Sequence, residues 1–317
     1  MTPEAGAVPP ARIALVGPTA SGKTALASRL AELRPVVEAV SIDSMAAYRE
    51  MDIGTAKPTQ QERSVVAWHM VDVLDPSEEL SVSAFQRSAK AILDAIERKG
   101  HVPLLVGGAG LYLRAVMEDL RIPGRWPEIS ESLERESLER GGIAQLYERL
   151  VNVDPLAARR IHPGNRRRLV RALEVTIGSG KPFSSYGPGL ARYPRCRYRI
   201  LGLRYPPGEQ EAAIERRLAM QMKEGFLDEV RRLLARPQGL SRTARQALGY
   251  KELIACLSGS CDLEEATRMA LSGMRELSRR QWRWFRRDPR VRWLDPRDDP
   301  LYEAARVVDE ITAVRSL

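Results

Sequence analysis

Gly17, Gly22, Lys23 and Thr24 stand at the spacing G-x-x-x-x-G-K-[ST], spelled here Gly17-Pro18-Thr19-Ala20-Ser21-Gly22-Lys23-Thr24. These residue types at this spacing suit one chemistry, the holding of a phosphate or diphosphate. Two glycines let the backbone turn its N–H groups toward an anion, and a helix opening directly after the loop adds partial positive charge. Lys23 places an ammonium on a terminal phosphate. The Thr24 hydroxyl ligates a Mg²⁺ that bridges phosphates. The plain alternative is a glycine-rich turn with no ligand, and the strand and helix patterns in register on either side weigh against it. The loop specifies phosphate, not the molecule that carries it.

Asp43 is the second candidate. It follows an apolar run at 36–42, and the C-terminal end of a strand beside a P-loop is where open α/β sheets bind ligands. An N-cap for a short helix beginning at Ser44 explains it equally well. Gly107-Gly108-Ala109-Gly110 is a third: small residues after a strand let a ligand approach the backbone closely, or simply turn the chain into a helix. His69 reads as a packed or hydrogen-bonded residue, because no second metal ligand stands at helical or loop spacing.

The elements that position these groups alternate. Residues 12–16, 36–42, 68–74 and 101–106 read as strands. Helices are expected over 25–31, from about 83 to 99, and over 111–116. Strand–helix alternation means a parallel α/β sheet, hence a P-loop NTPase-like core. The strand before Gly107 ends in glycine rather than the acid of a motor-type ATPase. From residue 121 the pattern changes to acidic and apolar positions at helical spacing, then to a basic helix around Arg166–Val175. We read 121–196 as a helical insertion that contacts nucleic acid, 12–120 and 197–317 as the catalytic core, and 1–11 as a loose tail. Within the core, 199–203 returns to strand, 209–235 is one long helical stretch, and the remainder is helical.

The chain of 317 residues carries 50 Lys and Arg against 41 Asp and Glu, a net charge of +9. The excess is uneven. Residues 158–199 hold eleven basic residues and one acid, Glu174; residues 275–292 hold eight arginines and two acids, interleaved with Trp282, Trp284 and Phe285. Guanidinium and aromatic planes together suit single-stranded nucleic acid; a solvated helix face is the competing explanation. The three cysteines, Cys196, Cys256 and Cys261, lack C-x-x-C spacing, no apolar run approaches membrane length, and residues 1–11 do not read as a signal peptide. A cytoplasmic protein without a membrane partner is expected.

The motifs together are more specific than the loop alone. They are Gly17–Thr24; Asp43-Ser44 followed by Met51-Asp52-Ile53-Gly54-Thr55-Ala56-Lys57-Pro58; His69-Met70-Val71-Asp72; Gly107–Tyr112; Arg168–Val175; Gly225-Phe226 with Glu229-Val230; Ala247–Glu252; and Arg280-Gln281 with Trp284-Phe285-Arg286. In this order they resemble the tRNA dimethylallyltransferases, collinearly over about residues 12–295. The resemblance implies a P-loop α/β core with a helical insertion; a monomer is expected. It implies that the N6 amine of the adenosine next to the anticodon displaces diphosphate from dimethylallyl diphosphate. Asp43 would be the general base. Thr19 and the rest of the loop would hold the diphosphate, with Arg217, and Mg²⁺ would sit on Thr24. Thr19 and Arg217 would join Asp43 as catalytic residues. Asp43, Ser44, Met45 and Ala46 would touch tRNA, as would Ala109, Arg167, Arg168, Arg171, Arg245, Gln246, Gly249, Tyr250, Arg280, Gln281, Trp284 and Arg286. The family commonly has Thr where Ala109 stands, and Ser272-Gly273-Met274 replaces a more basic run. A P-loop small-molecule kinase would share the loop and Mg²⁺ but not the two basic runs. A non-catalytic RNA-binding protein would not need Gly22, Lys23 and Thr24 intact.

Overall fold

The computed structural model describes residues 12–315 except 188 and 191, so the tail at 1–11 lies outside the described residues. The chain divides into two compact units, Met1–Asp119 with Arg195–Leu317, and Leu120–Pro194.

The first unit is built on six strands, β1 (Arg12–Val16), β2 (Val37–Ser41), β3 (Trp68–His69), β4 (Val102–Gly107), β5 (Tyr198–Leu203) and β6 (Val291–Leu294), in the order β3-β2-β4-β1-β5-β6. Every pair is parallel. β1, β2 and β4 are buried nearly throughout, as strands covered on both faces must be. On one face Ile13, Leu15 and Leu104 pack against the helices Lys23–Leu33 and Pro300–Arg315; on the other Ala14, Val40 and Leu105 pack against Val82–Arg98 and Gly110–Met117. The chain leaves β1 for β2 beyond β4, and later crosses from β4 to β5 on the far side of β1. The strand order therefore switches between β1 and β4, which opens a crevice at their C-terminal ends.

Several elements differ from expectation. The strand expected over 68–74 stops after His69, because Met70 and Asp72 adopt left-handed backbone (φ 60° and 56°). That bend brings Asp72 onto Lys57 at 2.5 Å and onto Arg63, so polar pairing overrides an apolar pattern. Residues 44–47 form a turn, not a helix. The stretch 209–235 is two helices, Pro207–Lys223 and Phe226–Leu234, broken at Gly225 with φ 94°. β6 falls in a region expected to be wholly helical. A separate core of Tyr48, Met51, Phe226, Val230 and Tyr250 anchors the loop after β2.

The second unit is helical: Pro127–Glu136, Gly142–Val153, Pro155–Arg160 and Arg166–Ser179 pack Leu133, Leu146, Leu150, Leu169 and Leu173 into one core. No helix of the described residues is long and apolar enough to cross a membrane.

Candidate active site

The P-loop leaves the C-terminal end of β1 and turns directly into the helix Lys23–Leu33. Gly17 is required there: a Cβ would lie 2.2 Å from the Leu203 carbonyl at the end of β5. Thr19 is held from three sides. Its N–H donates to Gln281 Oε1 at 2.7 Å, its carbonyl accepts from Gln210 Nε2 at 2.7 Å, and its hydroxyl accepts from Arg217 Nη1 at 3.1 Å. The Thr19 amide is thus spent inside the protein, and the part of the loop open to an anion begins at Ala20. Lys23 folds back over the loop, donating to the Pro18 carbonyl at 2.5 Å and Ser21 Oγ at 3.2 Å.

A cavity of about 170 Å³ adjoins the loop, with Thr19, Lys23, Thr24, Asp43 and Arg217 in its lining. Burial, then the nearby charge of Arg217, push the Lys23 ammonium down to about 7, while Asp43 pulls the other way. Burial likewise lowers Arg217, again opposed by Asp43. Arg217 Nη2 reaches the Thr55 carbonyl at 3.2 Å, and its buried Nε has no partner. Two crowded cations thus share one carboxylate, Asp43, which is the sole acid among the described lining residues. That charge balance favours an anionic ligand.

Asp43 stands two residues beyond β2. Its Oδ1 accepts from Met45 N–H at 2.9 Å, closing the turn at 44–47, and no hydrogen bond is recorded for its second oxygen. The neighbouring acids are engaged elsewhere. Lys57, with its side chain almost wholly buried, bonds Asp52 at 2.7 Å and Asp72 at 2.5 Å. Burial alone would raise Asp72, but the bonds from Lys57 and Arg63 outweigh it and hold that carboxyl below its usual range.

One group that the motifs include but to which they assign no role is the buried Glu229. It accepts from the N–H of Asp52 (2.9 Å), Ile53 (2.7 Å) and Gly54 (3.2 Å) and from the Tyr250 hydroxyl (2.6 Å). An unmatched buried donor costs about 1–3 kcal/mol, so four such donors explain an acid in this core. It fixes the loop at 51–58 that forms one wall of the cavity. The His69 ring N–H donates to the Glu38 carboxylate at 2.7 Å, as does that of His101, so His69 is a hydrogen-bonded residue as expected.

The glycines at the end of β4 are closely packed, and Gly107 and Gly108 also line the cavity. A Cβ on Gly107 would meet the Ile42 carbonyl at 2.4 Å, on Gly108 the Gln281 amide at 2.3 Å, and on Gly110 the Trp284 indole at 2.2 Å. Ala109 begins the helix Gly110–Met117 without a side-chain cap.

The chain matches the IPP transferase family over residues 46–288. It belongs to that family. It is 43% identical over 307 residues to a tRNA dimethylallyltransferase of Desulforudis audaxviator, covering 96% of this chain and 98% of that one. It is 46% identical over 296 residues to the Acidothermus cellulolyticus tRNA dimethylallyltransferase, covering 92% and 91%. The crystal structure of a tRNA isopentenylpyrophosphate transferase from Bacillus halodurans superposes with TM-score 0.68 at 35% identity, covering 96% and 97%. A eukaryotic dimethylallyltransferase shares the fold, with TM-score 0.76 at 24% identity over 93% and 77%.

Against that membership the expected RNA-contacting residues divide. Arg167, Arg168, Arg245, Gln246, Arg280 and Arg286 are exposed, and Ser44 and Met45 are half-buried beside Asp43. Others are engaged internally. Tyr250 is fully buried, packed edge-on against Phe226 at 4.9 Å with its hydroxyl on Glu229, so it is a wall of the site rather than an exposed contact. Gly249 packs beneath the same Phe226 ring, and Ala46 is 5% exposed in the core. Arg171 pairs with Glu174 at 2.8 Å and donates to the Pro123 and Gly124 carbonyls, so it ties its helix to the preceding loop. Gln281 grips the P-loop, and Trp284 packs into the sheet core. Of the eight arginines at 275–292, five are paired: Arg275 with Glu215, Arg279 and Arg283 with Glu276, Arg290 with Glu118 and Asp288, and Arg292 with Glu303. Arg280, Arg286 and Arg287 remain for a polyanion.

The Lys23 environment gives a pH-dependent prediction. A bound diphosphate favours the charged ammonium, so the folded protein must take up a proton on binding wherever Lys23 is neutral. Affinity for a diphosphate is therefore full below pH 7 and falls above it, by up to about tenfold per pH unit until the complex itself titrates. Calorimetry in buffers of different ionisation heat measures the uptake. Lys23→Met abolishes it; persistence in that variant assigns the proton elsewhere.

Proposed function

We propose that this chain transfers a dimethylallyl group from dimethylallyl diphosphate to the N6 amine of the adenosine next to the anticodon in tRNA, releasing diphosphate. The observation that carries the reading is the single carboxylate, Asp43, set against Lys23 and Arg217 at a P-loop. The names of the relatives support the same chemistry.

The exocyclic amine of adenine is a poor nucleophile, because its lone pair is delocalised into the ring. Asp43 accepts the N–H and takes the proton as the N–C bond forms. The C–O bond to the diphosphate breaks at the same carbon, an allylic centre that tolerates positive charge. Negative charge grows on the leaving oxygen, where the loop amides from Ala20 onward, Lys23 and Arg217 receive it. Met45, Ala247, Leu248, Met274 and Leu277 give the cavity an apolar wall for the five-carbon tail. The Thr24 hydroxyl lines the cavity and would be the protein ligand of a Mg²⁺ bound with the diphosphate. Bound there, the ion would neutralise diphosphate charge.

The exposed arginines Arg167 and Arg168 of the helical unit, and Arg245, Arg280 and Arg286 of the core, are offered to the RNA backbone. We place the protein in the cytoplasm as a monomer; the three free cysteines suit a reducing compartment. The deciding experiment incubates the protein with unmodified tRNA, Mg²⁺ and labelled dimethylallyl diphosphate. Label on an anticodon-loop adenosine is the expected result. ATP-dependent phosphorylation of a small metabolite, without prenyl transfer, would replace this reading with a kinase.

A further inference from the structure

Arg204 is the residue immediately after β5, one past the Leu203 carbonyl on which Gly17 rests. Its guanidinium lies over the Trp282 ring, 3.7 Å from the centroid. Trp282 follows Gln281, the residue that grips the Thr19 amide. It is held in turn by Trp293 of β6, edge-on at 4.8 Å, and Trp293 packs over Gly202 of β5. The result is a tower of Arg204, Trp282 and Trp293 on the rim of the sheet, beside the P-loop.

The charges on this tower are unbalanced. Arg286 stands one helical turn from Trp282, near enough that its charge, after burial, lowers the Arg204 guanidinium. No hydrogen bond or ion pair from either guanidinium to an acid is recorded among the described residues, although five neighbouring arginines each have one. Two like charges held together without an acid cost free energy unless an anion bridges them. Arg204 has spent one face on Trp282, which fixes its plane and leaves the N–H edge for two-pronged contact with phosphate oxygens.

We propose that Arg204, stacked on Trp282 one helical turn from Arg286, is a phosphodiester clamp for the RNA strand that delivers the reacting adenosine. The proposal rests on the tRNA reading above. RNA is the occupant because phosphate satisfies both cations, and the outer face of a stacked guanidinium also takes a base. The clamp's place beside the loop that holds the donor ties the RNA backbone to the reaction centre without touching the adenine.

The test compares Arg204→Gln and Arg204→Lys with the parent. The first keeps a planar group for the indole and drops the charge; the second keeps the charge and drops the fork. Dissociation constants for an unmodified anticodon stem-loop are measured across a salt series. Arg204→Gln is expected to weaken binding several-fold, equally for loops of different sequence, and to reduce the slope of log affinity against log salt by about 0.7–0.9. Arg204→Lys keeps most of the slope. Melting temperature and dimethylallyl diphosphate affinity stay at parental values. A parental slope in Arg204→Gln overturns the clamp, and so does weaker binding that comes only with a lower melting temperature, which would make the tower structural. If the parent itself does not bind the stem-loop, the tRNA reading fails rather than the clamp alone.

Discussion

Asp43→Asn is expected to lower the single-turnover rate of prenyl transfer by ~10²–10⁴-fold while the fold and both substrate affinities stay near parental. The geometry makes this substitution unusually clean. Asp43 Oδ1 accepts from Met45 N–H, and the Asn carbonyl oxygen can keep that bond, so the turn at 44–47 survives. The second position becomes an NH₂ group. It offers a donor where the reaction needs an acceptor, and it cannot offset positive charge forming on the amine. The loss lies in the transition state, so kcat and kcat/KM fall together. The same change removes the one negative charge opposing Lys23 and Arg217, so donor KM should hold or decrease, not rise. A residue whose only task is to close the turn predicts parental turnover, because Asn closes such turns well. No other acid can step in easily: Asp52 and Asp72 are both bound to the buried Lys57. Parental single-turnover rates in a stable Asp43→Asn protein would therefore rule out carboxylate base catalysis at this cavity.

What the sequence displayed and what it concealed follow from separation along the chain. The P-loop is contiguous, and its strand, turn and helix are each specified by neighbours, so Gly17–Thr24 was readable as it stands. Asp43 was readable as a position, the end of an apolar run, while its role was not. The residues that hold the site rigid were not readable in that role, although Glu229 and Gln281 stand inside the family motifs. Gln281 reaches Thr19 across 262 positions, Gln210 across 191 and Glu229 reaches Asp52 across 177, and nothing local marks these partners. Residues 68–74 misled because Val71, Val73 and Leu74 look like strand, whereas the Asp72 pairs decide the backbone. Gly107, Gly108 and Gly110 were readable as small residues, but not the partners that need them small. Their smallness accommodates Ile42, Gln281 and Trp284, and it also leaves Gly107 and Gly108 in the lining of the cavity. Five of the eight arginines in the basic run at 275–292 pair with acids, some inside the run (Glu276, Asp288) and some outside it (Glu118, Glu215, Glu303), and only the latter are invisible locally.

Arg217→Ala is expected to reduce turnover by about 10²-fold, on the order of 3 kcal/mol of leaving-group stabilisation, with tRNA affinity unchanged. Arg217 spans Thr19 Oγ1 and the Thr55 carbonyl, so it bridges the P-loop and the loop pinned by Glu229. Its Nε is buried without a partner, a donor that a diphosphate oxygen would satisfy. Arg217→Lys should recover little, because a single ammonium cannot make the fork and still reach the anion. A second readout tests proximity independently of rate. Arg217 is one of the two causes that push Lys23 down to about 7. Its removal therefore raises the Lys23 pKa, and the pH above which donor affinity declines moves upward. A variant that merely loosened the loops would slow the reaction without that displacement. Near-normal turnover in Arg217→Ala would remove the guanidinium from the reaction; slow turnover with an unmoved pH limb would confine it to holding Thr19 and Thr55 in place.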